Sequence, residues 1–261
     1  MKKTRIILIF SFLFALCASS AYARINFIEQ WKPGVDTGII SRGDYGLAVN
    51  MSVAADDSHE DTLSLPVIFT YSPAEYLELA TGLGVISYGS ETGISDLSLG
   101  MKYNFWKEDP ATGQPSIAGE FGFLLPTADY RKNLGPGGVG INFNWILQKT
   151  VREVRGHLAL GYEIHTENPD DSKPGNEIMW SVGAQYEYKK NLELYGALTG
   201  INHSPVKING NAAPGSSFQE LYLAPGLRYN NGRYDFYFSP LIGITDDSYN
   251  LIFFAGMEMK I

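Results

Sequence analysis

The sequence predicts an all-β chain closed into an antiparallel transmembrane barrel of about twelve strands, and three observations predict it. Segments of about ten residues alternate apolar and polar side chains. Aromatic residues and glycine are abundant (14 Phe, 16 Tyr, 28 Gly) while only 18% of residues are charged, and no stretch after residue 24 keeps a 3.6-residue period over three turns. Strict alternation is what a strand shows when its two faces meet different solvents.

Residues 97–105 place Leu97, Leu99, Met101, Tyr103 and Phe105 opposite Ser98, Gly100, Lys102 and Asn104. Residues 139–148 set Val139, Ile141, Phe143, Trp145 and Leu147 against Gly140, Asn142, Asn144 and Gln148, and residues 178–188 repeat the pattern. Extending it gives strands near 44–54, 62–72, 76–87, 94–106, 115–125, 138–149, 155–165, 177–188, 192–202, 218–229, 233–244 and 248–260. The connections alternate: 55–61, 88–93, 126–137, 166–176 and 203–217 are mostly long, whereas 73–75, 150–154, 189–191 and 230–232 are tight. Outer-membrane barrels are built this way, with an even strand count, short periplasmic turns and longer outer loops. Segments 107–114 and 245–247 break the alternation. A soluble sandwich would charge its polar face, but here that face is largely Gly, Ala, Ser and Asn.

The chain divides into an expected export signal over 1–23, an N-terminal segment over 24–43 and the barrel over 44–261. Lys2, Lys3 and Arg5 precede an apolar run from Ile6 to Leu16 and the small-residue site Ala21-Tyr22-Ala23, as in a cleaved signal peptide. The run is too short for a helix that spans a bilayer. Residues 24–43 carry Ile25, Phe27, Ile28, Trp31, Ile39 and Ile40 without barrel alternation, and two readings stand: a plug inside the lumen or a periplasmic tail. The single cysteine, Cys17, falls in the signal, which excludes thiol and disulfide chemistry from the mature chain. The formal charge of −8 deepens to about −11 once the signal's three cations are removed, which argues against nucleic acid as a partner.

At Gly93-Ile94-Ser95-Asp96-Leu97-Ser98-Leu99-Gly100-Met101-Lys102-Tyr103-Asn104-Phe105 the chain resembles the outer-membrane family of the MetA-pathway of phenol degradation. Leu124-Leu125-Pro126-Thr127, the glycine-rich strand at 137–149 and Leu158-Ala159-Leu160-Gly161-Tyr162 are similar to further family segments, so the likeness spans roughly 44–261. The resemblance implies an outer-membrane barrel that carries hydrophobic or aromatic compounds, and none of the quoted motifs is catalytic. Two departures stand out. Ala128 takes the place of a usual glycine, and the chain ends in Ile261 where many barrels end in Phe or Trp.

If the apolar face meets lipid, the other lines the lumen, with Asp96, Lys102, Glu120, Asn142, His157, Glu163, Glu187, Glu193, Glu220 and Arg228 as candidate lining residues. Carboxylates outnumber cations there, which gives a cation-leaning interior; pairing of opposite charges into a closed plug is the other reading. Tyr71, Tyr76, Trp106, Tyr188, Tyr229 and Tyr234 lie beside the expected periplasmic turns, where an amphipathic ring suits the membrane interface, and Tyr88, Trp180 and Tyr249 would mark the outer girdle. No cofactor and no metal site is expected. His157 and His165 stand eight residues apart on one strand, roughly 27 Å, too far to share an ion. The expected role is a passive channel for small solutes, with outer-membrane lipid and the barrel-assembly machinery as partners. A closed structural barrel is the second reading. A lipid hydrolase is the third, with no Gly-x-Ser-x-Gly elbow to support it.

Overall fold

The computed structural model describes residues 37, 38, 40–55 and 60–261. Its strands are β1 (Tyr45–Ala55), β2 (Thr62–Ala74), β3 (Leu77–Tyr88), β4 (Glu91–Ile94), β5 (Leu97–Trp106), β6 (Ser116–Leu125), β7 (Gly140–Val151), β8 (Val154–His165), β9 (Ser172–Lys173), β10 (Glu177–Lys189), β11 (Leu192–His203), β12 (Lys207–Ile208), β13 (Asn211–Ala212), β14 (Phe218–Asn230), β15 (Tyr234–Gly243) and β16 (Leu251–Lys260). Twelve of them are 10–13 residues long, enough for a tilted crossing of the hydrocarbon core. Each pairs antiparallel with its neighbours, and β1 joins β16 from Gly46↔Lys260 to Ala55↔Leu251, so the ladder closes without a free edge. Closure matters because an unpaired backbone group in lipid costs several kcal/mol.

The burial pattern is inverted relative to a water-soluble protein. On β5, Ser98, Lys102 and Asn104 are buried while Leu99, Met101, Tyr103 and Phe105 are exposed. On β7 and β8 the contrast is sharper: Trp145 and Leu160 are 56% and 54% exposed, whereas Asn142 and Glu163 are each 1% exposed. A carboxylate buried among polar neighbours beneath a skin of Leu, Phe and Trp is stable only if that skin meets hydrocarbon.

Turns follow the alternation. Two residues join β7 to β8 (152–153) and β10 to β11 (190–191), with Arg152 at φ 56 and Asn191 at φ 74. Asparagine tolerates that left-handed backbone better than most residues. At the other end the connections are longer; Tyr130–Lys132 forms a 3-10 turn in one, and β9, β12 and β13 make a small sheet across two others. The nine residues 107–115 remain the long exception on the tight-turn side.

One expected strand is broken. Residues 94–106 do not run straight: β4 ends at Ile94 and β5 begins at Leu97. Between them the Gly84 N–H donates to Ser95 Oγ at 2.9 Å and the Ser95 N–H to the Gly84 carbonyl at 2.9 Å. A side chain has replaced a ladder partner, which is how a bulge bends a strand.

Part of the interior is filled by aromatic rings. Tyr222, Ala224, Tyr237, Leu241 and Phe254 form a buried cluster on β14, β15 and β16, with Tyr237 and Phe254 stacked at 5.8 Å. Tyr195 donates from its hydroxyl to the Phe238 carbonyl at 2.9 Å. It lies across Gly226, where any Cβ would collide with its ring. The glycine is what lets the ring lie flat against the wall.

Candidate functional site: the barrel interior

The inner face carries its charge in rows that follow strand register. In the row nearer the longer loops, Asn142, Glu163, Glu177 and His203 stand side by side on β7, β8, β10 and β11. Adjacent carboxylates repel when directly opposed, and two imidazoles separate them. His165 Nε2 lies 3.3 Å from Glu163 Oε1 and 3.7 Å from Glu177 Oε1; His203 Nδ1 lies 3.4 Å from Glu177 Oε1, and its Nε2 3.0 Å from Glu220 Oε1. Tyr222 donates to Glu220 Oε2 at 2.7 Å, and His203 stacks on Phe218 at 3.9 Å.

A second row crosses β3, β5, β6 and β7. Lys102 is flanked in register by Glu78 and Glu120, and Asn144 Nδ2 donates to Glu120 Oε2 at 3.0 Å. Near the tight turns, Arg228 Nε donates to both Asp235 oxygens (2.9 and 2.8 Å), and its Nη2 reaches Oδ2 at 2.5 Å. Glu193 lies between Arg228 (3.7 Å) and Arg155 (3.9 Å). A forked guanidinium suits this task because its donors match a carboxylate's two oxygens.

Of the residues expected inside, Asp96, Lys102, Glu120, Asn142, His157 and Glu163 are buried. Glu193, Glu220 and Arg228 are half-buried on the inner face. Glu187, paired in register with Glu193 one residue before a register shift near the end of β10, is exposed at the mouth. Sequence reasoning missed Glu177, which shares parity with Met179 and Ser181 and could have been found by extending the alternation one step. It also missed His203, one residue beyond the expected strand end, and Arg155, which shares parity with His157.

The aromatics divide. At the tight-turn end of the barrel Tyr76, Trp106, Tyr188 and Tyr229 are exposed, and Tyr71 and Tyr234 are half-buried, with Tyr71 stacked on Tyr45 at 4.8 Å. Lys107, Lys189 and Arg233 sit 4.7, 5.3 and 5.4 Å over the rings of Tyr76, Tyr188 and Tyr234. The exposed Lys107 ammonium is held above its usual pKa first by its hydrogen bond to Glu75. At the other end, Tyr88 and Tyr249 do not join a girdle. Tyr88 packs on Ile86, Ala128 and Leu134, and Tyr249 packs on the inner aromatic cluster while its N–H donates to the Tyr222 hydroxyl at 3.2 Å.

Residues 32–261 match the sequence profile of the family described as Putative MetA-pathway of phenol degradation. The chain belongs to this family. Among solved structures, the chain is similar to an outer membrane channel from Pseudomonas putida F1 (14% identity, 88% of this chain and 99% of that one, TM-score 0.73). It is also similar to the NanC porin (12% identity, 82% and 100%, TM-score 0.57). At such identities the likeness shows the fold, that of an outer-membrane barrel. No curated protein matches the chain.

Two of the segments that carry the resemblance to the MetA-pathway family meet in space. Thr127 Oγ1 donates to the Ser95 carbonyl at 3.0 Å and accepts the Leu97 N–H at 2.8 Å, while Asp96 Oδ1 accepts the Ala128 N–H at 2.8 Å. The bulge in the broken strand is therefore clamped by the Leu-Pro-Thr segment, and both motifs are explained by structure. Ala128 is tolerated in place of glycine because it is not among the residues with positive φ and its methyl packs against Ile86 and Leu134.

A hydrolytic arrangement has little support. His157 Nε2 lies 3.4 Å from Ser181 Oγ, but His157 Nδ1 has no partner, so no carboxylate orients the imidazole as a triad requires. Among the described residues, no cluster of His, Asp, Glu or Cys is arranged to hold a metal.

Proposed function

We propose that this protein is a passive outer-membrane channel for small solutes, with an inner wall that carries both acids and aromatic rings. The observation that carries the reading is a closed barrel whose buried face is ionic and hydrogen-bonding while its exposed face is apolar. Such an interior solvates polar and charged species where a bare bilayer cannot. Glu163, Glu177 and Glu120 hold buried carboxylates on β8, β10 and β6, and Tyr222, Tyr237 and Phe254 a buried aromatic cluster on β14–β16. Amphipathic aromatic compounds fit a wall of that composition, a substrate class in keeping with the MetA-pathway family. Tyr76, Trp106, Tyr188, Tyr229, Tyr71 and Tyr234 would sit at the periplasmic interface of the surrounding lipid. Export by the N-terminal signal and insertion by the barrel-assembly machinery belong to the same reading.

Purified protein in planar bilayers is expected to give discrete, steady current steps, with a reversal potential under a salt gradient that favours cations. Glu120→Gln with Glu163→Gln should move that potential toward zero, because removing two buried acids weakens the focused negative field. A barrel that inserts stably but passes no current would establish the closed, structural reading instead.

A further inference from the structure

We infer that the stretch holding Thr37, Gly38 and Ile40 is an inner strap that narrows the periplasmic mouth and sets the conductance of the channel. Thr37 donates to Gln148 Oε1 twice, from its N–H at 3.1 Å and its hydroxyl at 2.7 Å. Asn104 Nδ2 donates to the Thr37 carbonyl at 2.9 Å, and the Ile40 N–H donates to Glu78 Oε2 at 3.2 Å. Thr37 and Ile40 are 4% and 7% exposed.

Three wall strands take part at one level. Glu78 is the second residue of β3, Asn104 the third from the end of β5, and Gln148 the fourth from the end of β7. All three positions lie within four residues of the tight-turn ends of their strands. The chain then leaves the lumen through a fixed corner. The Asp44 N–H donates to the Ser41 carbonyl at 3.0 Å, Gly43 takes φ +87, and Gly43 and Asp44 pair with Ser72 at 2.7 and 3.2 Å before β1 begins.

A peptide with no ladder partner must have its N–H and C=O groups satisfied by side chains or water. Here the wall supplies an amide oxygen, an amide nitrogen and a carboxylate spaced for one particular peptide path. A loose periplasmic tail would need none of these groups and would not be buried. Residues 24–36 and 39 lie outside the described residues; for the part that is described, the contacts of Thr37 and Ile40 favour entry into the lumen. A peptide held against the inner wall of a twelve-stranded barrel takes cross-section from an already narrow path. The role in conductance rests on the channel reading above; the position of the strap does not.

The test uses the mature chain, which holds no cysteine once the signal is gone. Thr37→Cys is expected to react with a bulky, impermeant maleimide at least about ten-fold more slowly than Ser41→Cys in the folded barrel, because burial limits reaction to rare local opening. Thr37→Cys with Gln148→Cys should form a disulfide seen as a mobility shift without reductant. In bilayers, Asn104→Ala with Gln148→Ala should raise single-channel conductance by about two-fold or more, since loss of the tether widens the constriction. The oxidised cysteine pair should hold the wild-type level until dithiothreitol is added. Equal reactivity of the Thr37→Cys and Ser41→Cys variants, or no disulfide in a folded barrel, overturns the strap. A disulfide with conductance identical in every variant overturns its role in the path. A disulfide with no current from any variant overturns the channel reading itself, and the conductance role with it.

Discussion

Leu160→Lys is expected to lower the stability of the folded barrel in lipid by about 2–4 kcal/mol, and Asn144→Lys, carrying the same new charge at the same height, to cost clearly less. The two positions sit in neighbouring cross-strand pairs. Leu160 pairs with Trp145 on one side and Trp180 on the other, is 54% exposed, and points outward at the middle of its strand. Asn144 is 3% exposed on the inner face and already bonds Glu120, so an ammonium there gains a carboxylate. Urea unfolding in lipid vesicles, followed by loss of the compact band in unheated gels, measures both. The reverse order of stabilities would mean that the faces have been assigned the wrong way round.

Arg228→Ala should be the most damaging change on the inner face, destabilising by about 3–5 kcal/mol, because it leaves carboxylates buried without their cation. Arg228 and Asp235 side chains are 12% and 9% exposed, and the guanidinium makes three bonds to that single carboxylate while also approaching Glu193. Arg228→Lys should recover only part of the loss, since a single ammonium cannot reproduce the fork. Arg228→Leu combined with Asp235→Leu should be much closer to wild type than Arg228→Ala, because removing both charges leaves no uncompensated one and Glu193 retains Arg155. The same unfolding assay decides it; equal damage from Arg228→Ala and from the double change would contradict the ion-pair account.

The strands are legible because lipid and lumen impose opposite demands on alternate residues. Runs such as 97–105 and 139–148 therefore declare both the element and its facing. Lys102, Glu120, Asn142 and Glu163 follow from parity alone. What parity does not carry is anything that depends on chain-distant partners. The bend at Ser95 and Asp96 comes from Thr127 and Ala128, some thirty residues on, and nothing in the local pattern announces it. Nearness to strand ends suggests girdle positions for Tyr88 and Tyr249, but each has a buried cluster to cover, and burying a ring there wins over the interface. Residues before β1 lack alternation, so their pattern leaves lumen and periplasm open; the contacts of Thr37 with Gln148 and Asn104 are tertiary information only.

The central claim is that the apolar outer face touches hydrocarbon. Trp145 tests it most directly, being 56% exposed and midway along β7. With Trp31, Trp106 and Trp180 replaced by Phe, the fluorescence of the one remaining tryptophan should be strongly quenched in vesicles whose lipid chains carry bromine near mid-chain, and hardly at all by aqueous iodide. Quenching by iodide with no response to the brominated lipid would place that face in water and contradict the account.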